Sequence, residues 1–283
     1  MSKSRKWGAG NLLTCLMICS FLAACSWDSL SPFQPNVSNT SSPPVTLTVF
    51  AAASLTESFG EIKQFFEAQQ PGVTVVLNFT NSQQLAQQLI DGAPADVFAS
   101  ANQKSMDNVI EDGRISNLQW WKFATNKLTV IFLLSNPARP TSLQDLARPG
   151  LKLVLAAKEV PAGKYTLEFL EKAARDPAFS TSFKDDVLHN VVSYENSVKS
   201  VVMKVVLGEA DIGIVYDSDF WGMGERGIGE IDIPEALNIT ATYVIAPLTD
   251  SPNIKQAQAF VDCVLSPEGQ DILEKYGFLP KPK

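Results

Sequence analysis

Hydrophobic positions along the chain alternate between the two-residue period of a strand and the longer period of a helix. The apolar run at 45–50 predicts a strand, and the apolar residues of the next segment then fall on one helical face: Leu55, Phe59, Ile62, Phe65 and Phe66. Further strands are predicted at 73–79, 95–99, 127–135, 151–156, 191–194, 211–216 and 240–247. Helices are predicted from Leu55, at 83–90, near 102–111, at 142–147, at 162–175, from Val198, at 253–264 and at 267–275.

Strands that alternate with helices indicate parallel sheets joined by right-handed crossovers. The pattern restarts at 127–135, so the sequence predicts two doubly wound α/β domains with a ligand cleft between them. We assign residues 45–125 plus 240–283 to the first domain and residues 126–239 to the second.

The N-terminus differs from the rest of the chain. Lys3, Arg5 and Lys6 precede an almost wholly apolar stretch that ends in "LAAC", which predicts a secretory signal at 1–24. A cysteine directly after small residues resembles a bacterial lipobox, so we expect Cys25 to carry lipid. The alternative is an ordinary signal with a chance cysteine. Residues 25–44 are rich in Ser, Pro and Asn and predict a flexible tether.

Charge and cysteine content exclude several classes of function. Removing the signal takes away three cations and no acid, which leaves 20 Lys and Arg against 30 Asp and Glu, a net charge of −10. This balance argues against nucleic-acid binding, which needs a basic face. Cys263 is then the single cysteine of the body, so no internal disulfide is expected.

A metal-ion site is also disfavoured, because the sequence contains no His/Cys cluster. Two acidic pairs, Asp185 with Asp186 and Asp217 with Asp219, are expected to be solvated loop residues rather than ligands.

Small residues follow four of the predicted strands, at the points where helices begin. In "AAASLTE", Ser54 and Glu57 form an S-x-x-E pattern that predicts a capping box. The free N–H groups and the positive dipole at a helix N-terminus can also hold an anion without a charged side chain. Helix capping explains each junction when it is taken alone. Four such junctions, distributed over two domains, could also meet around one ligand cleft. The other three junctions are Asn81–Ser82, Pro161–Ala162 and Ser197–Val198.

Four segments, "VFAAASLTESF", "LAQQLIDGAPADVFASANQKSMD", "VPAGKY" and "GEADIGIVYDSD", resemble the molybdate-binding proteins of ABC importers, in that family's order and spacing. The resemblance covers residues 46–279. It implies a type II fold like that of periplasmic binding proteins. It also implies a monomeric receptor, not an enzyme and without a cofactor, that takes up molybdate or tungstate and delivers it to a membrane permease. The receptor would be exported and anchored by lipid to the outer face of the cytoplasmic membrane.

The resemblance also implies which residues bind the oxyanion. The family uses two serines, two backbone N–H groups and a tyrosine, and these match Ser54, Ser82, Ala162, Val198 and Tyr216. Ser82 lies between Asn81 and Gln83, which departs somewhat from the family's serine-rich loop. No metal is expected to contact the protein directly, because it would be bound as its oxyanion.

Two alternatives remain beside this hypothesis. The ligand could be another tetrahedral oxyanion such as sulfate. The chain could instead be a secreted hydrolase with Ser54 as nucleophile, but its single histidine is His189 and no G-x-S-x-G elbow is present. For a receptor, we expect the hinge near 124–127 and 236–241.

Overall fold

The computed structural model describes residues 44–221, 223 and 226–280. The predicted signal at 1–24, the predicted lipidation at Cys25 and nearly all of the predicted tether at 25–44 lie outside these residues. Within the described ranges, no helix has the length and apolar character needed to cross a bilayer.

Strands and helices alternate through most of the chain, as the hydrophobic pattern predicts. The strands are β1 (Val45–Ala52), β2 (Val73–Thr80), β3 (Val97–Ser100), β4 (Trp121–Asn126), β5 (Leu128–Leu133), β6 (Leu153–Ala156), β7 (Val191–Glu195), β8 (Ile212–Tyr216), β9 (Ile228–Asp232), β10 (Ala241–Pro247) and β11 (Leu279–Pro280). The α-helices are α1 (Thr56–Gln69), α2 (Ser82–Ile90), α3 (Gln103–Glu111), α4 (Pro161–Ala173), α5 (Phe183–His189), α6 (Val198–Val206), α7 (Asp217–Phe220), α8 (Ile254–Leu265) and α9 (Pro267–Lys275). Two short 3-10 turns lie at Ala53–Leu55 and Leu143–Ala147.

The strands form two separate sheets, which confirms two α/β domains. The first sheet has the order β11-β4-β10-β3-β1-β2, and the second has the order β7-β6-β8-β5-β9. We call the first sheet with its helices the first domain, and the second sheet with its helices the second domain.

The expectation of wholly parallel sheets is wrong. β1 pairs in parallel with β2 and β3, and β6 pairs in parallel with β7 and β8. The other described pairs, which involve β4, β5, β9, β10 and β11, are antiparallel. Both sheets are therefore mixed, because the strands near the two crossings between domains enter their sheets in the opposite direction.

The first crossing also explains a strand that the sequence pattern does not reveal. The strand predicted at 127–135 corresponds to β5 in the second sheet, whereas β4, which precedes it in the first sheet with Lys127 between them, is not predicted by the apolar pattern. The return crossing lies at 233–240, between β9 and β10. The hinge positions near 124–127 and 236–241, and the domain boundaries, stay predictions.

Apolar side chains cover both faces of the first sheet. Val49 and Ala51 of β1 belong to one buried cluster with Phe59 and Phe260, whereas Phe50 belongs to a second cluster with the α2 and α3 side chains. This division follows from strand geometry, in which successive side chains point to opposite faces. Full burial of each such aromatic side chain contributes about 1.5–3 kcal/mol. A stable sheet therefore holds the ends of β1 and β2 in fixed positions.

Helices α4 and α6 pack against the second sheet through buried residues on one side of each helix. α4 buries Thr166, Phe169, Leu170 and Ala173, and α6 buries Val198, Val201, Val202 and Val205. The valine spacing that predicted α6 is confirmed. Cys263 lies in α8, is partly buried and forms no disulfide.

Candidate functional site

A cavity lies where the ends of strands from both domains meet. Its lining consists of Ala52, Ala53, Ser54, Asn81, Ser82, Ala101, Val160, Pro161, Ala162, Ser197, Val198 and Tyr216. The cavity is small, with a volume of about 10 Å³. All five residues that the sequence proposes for ligand binding are among them, although they come from five different segments of the chain.

The cavity is built from strand ends and helix beginnings. β1, β2, β3, β6, β7 and β8, the strands that form parallel pairs, each end at or within a few residues of its lining. Ser82, Pro161 and Val198 are the first residues of α2, α4 and α6. The first N–H groups of a helix have no partner within the helix, and the dipole makes this end positive. Three helix N-termini thus present unpaired donors to one small space.

Ser54 does not form the predicted capping box. α1 begins at Thr56, its N-cap is Leu55, and no side chain accepts a bond at that cap. Ser54 instead lies in the 3-10 turn, and its Oγ is 2.8 Å from the hydroxyl of Tyr243. The turn places Ser54 too early in the chain to cap α1, so its hydroxyl has no capping role and borders the cavity.

The Ser82 hydroxyl is buried and already accepts one hydrogen bond. The backbone N–H of Ala101 donates to Ser82 Oγ at 2.9 Å. Asn81, rather than Ser82, caps α2, because its side chain accepts from the Gln84 N–H at 2.8 Å. Ser82 is therefore free of any capping role, and its own hydrogen can be donated to a ligand.

The Tyr216 phenol is the clearest polar group without a partner. It is only 2% exposed, and its hydroxyl forms no hydrogen bond with the described residues. Burial raises the pKa of Tyr216 well above its ordinary value, so the phenol stays protonated. A buried donor without an acceptor costs about 1–3 kcal/mol, which a ligand oxygen in the cavity would remove.

Two polar contacts join the domains beside the cavity. Lys199, the second residue of α6, places its Nζ 2.7 Å from Glu57 Oε2 of α1. Asn81 Nδ2 donates to the carbonyl oxygen of Asn196 at 3.0 Å. Both contacts connect a segment of the first domain to a segment of the second, so the described arrangement has the domains in contact around the cavity.

Asp219 contradicts the expectation that its acidic pair is solvated. Its side chain is fully buried, with one carboxylate oxygen 3.1 Å from Lys199 Nζ and the other accepting the Tyr216 N–H at 3.2 Å. Burial alone would lower the pKa of Lys199, but the carboxylates of Asp219 and Glu57 outweigh it and raise that pKa. Asp219 therefore holds Tyr216 and Lys199 in place. The sequence did not predict this role, although Asp219 lies only three positions after Tyr216.

Lysines surround an outer pocket next to the cavity. Lys104, Lys158 and Lys164 line this pocket, and Pro161 lines both the pocket and the cavity. Lys158 and Lys164 have nearby carboxylates at 3.9 and 3.6 Å. Three lysines and one glutamate, Glu159, line the outer pocket, so its lining is net positive on a chain whose overall charge is negative.

The lining of the cavity favours an anion over a cation. No carboxylate is among the lining residues, and the described residues contain no group of three His, Cys, Asp or Glu side chains that could hold a metal ion. Hydroxyls and helix N–H groups supply the polar contacts instead.

Nucleophilic chemistry at Ser54 lacks a base. The side-chain partner of Ser54 is Tyr243, and His189 is the last residue of α5. Tyr243 itself was missed by sequence reasoning. It lies in the apolar strand β10, where nothing but the presence of a hydroxyl distinguishes it from a core residue.

Comparison with known proteins extends these observations. The family model described as bacterial extracellular solute-binding protein matches residues 47–279. A protein of Mycobacterium tuberculosis named molybdate-binding protein ModA is 35% identical over 277 residues, which cover 96% of this chain and 98% of that relative. The solved substrate-binding domain of a putative molybdenum ABC transporter from Clostridium difficile is 30% identical, with a TM-score of 0.63, and covers 84% of this chain and 100% of that domain. The sulfate-binding protein SubI of Mycobacterium tuberculosis superposes with a TM-score of 0.75 over 83% of this chain and 87% of its own. At 18% identity this likeness concerns the fold alone.

Proposed function

The chain belongs to the family of bacterial extracellular solute-binding proteins, and we propose that it captures molybdate in the cavity between its domains and delivers it to an ABC-type permease. Tungstate, an oxyanion of the same shape and charge, is proposed as a second ligand. In this proposal Ser54, Ser82 and Tyr216 donate hydroxyl hydrogens, and Ala162 and Val198 donate backbone N–H groups.

The observation that carries this proposal is the convergence of hydroxyl groups and helix N-terminal N–H groups in a cavity without a carboxylate. Three hydroxyls and the N-termini of three helices border one space. A hydrogen bond to a charged group contributes about 1.5–3 kcal/mol. Because these donors are fixed dipoles rather than free cations, a protein of net negative charge can still bind a dianion in this way.

Delivery to a permease fits a two-domain receptor that closes over its ligand. The contacts of Glu57 with Lys199 and of Asn81 with Asn196 form only when the domains approach each other. We propose that they stabilise the closed, loaded receptor. We also propose that lipid on Cys25 holds the receptor at the outer face of the cytoplasmic membrane, where the permease lies.

Calorimetric titration of the purified protein with molybdate, tungstate, sulfate and phosphate tests the ligand. We expect molybdate and tungstate to saturate one site per chain and sulfate to bind far more weakly, because longer metal–oxygen bonds fill a cavity that a smaller ion cannot. Saturation by sulfate without binding of molybdate would identify sulfate, and not molybdate, as the ligand. Binding of none of these anions would refute an oxyanion receptor.

The anchor is tested in cells. We expect the wild-type protein in the membrane fraction and a Cys25→Ser variant outside it. Equal recovery of both proteins from the soluble fraction would refute lipid attachment at Cys25.

A further inference from the structure

Helix α7 lies at the first crossing between the domains. It begins directly after Tyr216, and the N–H of Asp217 donates to the carbonyl oxygen of Lys127 at 2.9 Å. Nδ2 of Asn126, the last residue of β4, donates to Ser218 Oγ at 2.8 Å. The helix that follows Tyr216 is therefore attached to the point where the chain leaves the first domain.

The C-terminal end of the first domain packs against the same helix. Leu279 of β11 pairs with Thr125 of β4, which places residues 276–278 beside the crossing, and we call these three residues the C-terminal seat. Gly277 has a φ of +79°, a conformation that favours glycine, and a Cβ added to it would lie 3.3 Å from Ser218 Cα. Backbone segments of the two domains thus approach each other closely at a residue without a side chain.

Aromatic rings extend this contact. Trp221 directly follows α7, and its ring centroid lies 4.7 Å from that of Tyr276. Within the first domain, the Tyr276 hydroxyl donates to Glu61 Oε2 at 2.8 Å, and the ring centroids of Phe278 and Tyr243 are 5.2 Å apart. The C-terminal seat is thus fixed to the first domain, while its first residue also contacts the second.

The position of α7 determines the position of two groups at the ligand site. Asp219 accepts the Tyr216 N–H at 3.2 Å and lies 3.1 Å from Lys199 Nζ. Lys199 in turn forms the ion pair with Glu57 across the domains. A displacement of α7 would therefore move the Tyr216 phenol and disturb the Lys199 contact at the same time.

We propose that the C-terminal seat supports α7 in the closed receptor, and that Gly277 is a positioning residue that sets the place of Tyr216 at the cavity. The inference rests on the proposed oxyanion-binding function and adds residues that hold its site without contacting the ligand. In Gly277→Ala, the added Cβ would displace Ser218 by a few tenths of an ångström, because the atoms that it meets belong to the backbone. That displacement is passed along α7 to Tyr216.

The experiment measures molybdate binding by calorimetry for the wild type, Gly277→Ala and the control Gly72→Ala. Gly72 has a φ of +92°, so both variants bear similar backbone strain, but a Cβ at Gly72 meets nothing within 4 Å. We expect Gly277→Ala to weaken molybdate binding about fivefold, less than the loss of a whole hydrogen bond to the charged ligand. Gly72→Ala should keep the wild-type Kd. A merely structural role of Gly277 would lower the fraction of folded protein, and hence the stoichiometry, without changing the Kd.

A second comparison keeps the inference testable should Gly277→Ala fail to fold. Trp221→Leu removes the ring that faces Tyr276 from a position that is 46% exposed. The control Tyr194→Leu removes a ring that is 55% exposed on β7, the outer strand of the second sheet. We expect Trp221→Leu to weaken molybdate binding about threefold, the contribution of one aromatic pair, and Tyr194→Leu to leave it unchanged.

The outcomes separate the two proposals. Wild type that binds no tetrahedral oxyanion would overturn the proposed function, and this inference with it. Wild type that binds molybdate, together with equal Kd values in either folded variant and its control, would overturn this inference alone.

Discussion

Lys199 Nζ lies 2.7 Å from Glu57 Oε2, and this ion pair joins the second domain to the first beside the cavity. Lys199 is also anchored within its own domain, 3.1 Å from the buried Asp219. When the domains separate, the ion pair of Lys199 with Glu57 must break, whereas the ion pair of Lys199 with Asp219 can remain. The pair is therefore placed to slow opening of the receptor.

Glu57→Gln should release ligand faster. Because the Glu57 side chain is about half exposed, the pair contributes about 0.2–1 kcal/mol. We expect a roughly 1.5- to 5-fold weaker Kd, mostly through the dissociation rate measured by stopped-flow fluorescence. The control Glu171→Gln removes a carboxylate whose partners Arg175 and Lys184 lie in the same domain. An effect as large in the control would show that the change is not specific to the domain contact.

Replacing both cavity serines should abolish tight binding. Ser54→Ala with Ser82→Ala removes two hydroxyl donors, each worth about 1.5–3 kcal/mol towards a charged ligand. We expect at least a roughly 100-fold loss of molybdate affinity by calorimetry. Ser180→Ala, at an exposed serine bonded to Ser182, is the control. Unchanged affinity in the double variant, with its fold intact by thermal melting, would refute the site assignment.

Gly163 leaves no room for a side chain at the start of α4. A Cβ at this position would overlap the carbonyl oxygens of Ala156 and Ala157, which are backbone atoms that cannot rotate away. Gly163→Ala should therefore cost about 1–3 kcal/mol of stability and displace the N–H of Ala162 from the cavity.

Gly60→Ala is the matched control for this change. Gly60 lies within α1, and an added Cβ there would meet nothing within 4 Å. Alanine should stabilise the helix by up to about 1 kcal/mol. Thermal melting distinguishes the two variants, and equal melting temperatures would contradict the overlap at Gly163.

Alkaline pH should destabilise the protein through its buried phenols. Burial raises the pKa of Tyr216 and of Tyr243 well above the ordinary value, and it raises the pKa of Tyr165 to about 12. Their contribution to stability is complete below about pH 10, where the unfolded chain is also protonated. It is lost above that pH, because the unfolded phenols release protons that the folded ones keep.

Tyr216→Phe should reduce this alkaline loss. Each such phenol lowers the free energy of unfolding by up to about 1.4 kcal/mol per pH unit above its unfolded pKa. Urea unfolding of the variant and the wild type over a series of alkaline pH values gives the difference directly, because other groups contribute equally to both. Parallel curves would show that Tyr216 ionises freely in the folded state.

The lysines of the outer pocket should speed the arrival of an anion. Lys158→Glu changes the net charge by two at the pocket next to the cavity, whereas Lys255→Glu makes the same change at an exposed residue of α8. We expect Lys158→Glu to lower the association rate several-fold at low salt and less at high salt. Equal effects of the two variants would mean that only the overall charge matters.

The sequence determined the alternation of strands and helices and the small residues at their junctions. A strand or helix with one buried face leaves a local period in the chain, which is why α6 and its valines were predicted. The five site residues were proposed from the resemblance of their motifs, and the structure places all five around one cavity.

Only the tertiary structure decided what those residues contact. The presence of β4 in the first sheet, the antiparallel strands and the burial of Asp219 all depend on partners distant in sequence. Ser54 shows the reason most directly. Its capping box was predicted from a residue three positions away, but its hydroxyl is bonded by Tyr243, 189 positions along the chain. A local pattern records the geometry of one helix or strand, whereas the partner of a buried hydroxyl is whichever group the fold brings beside it.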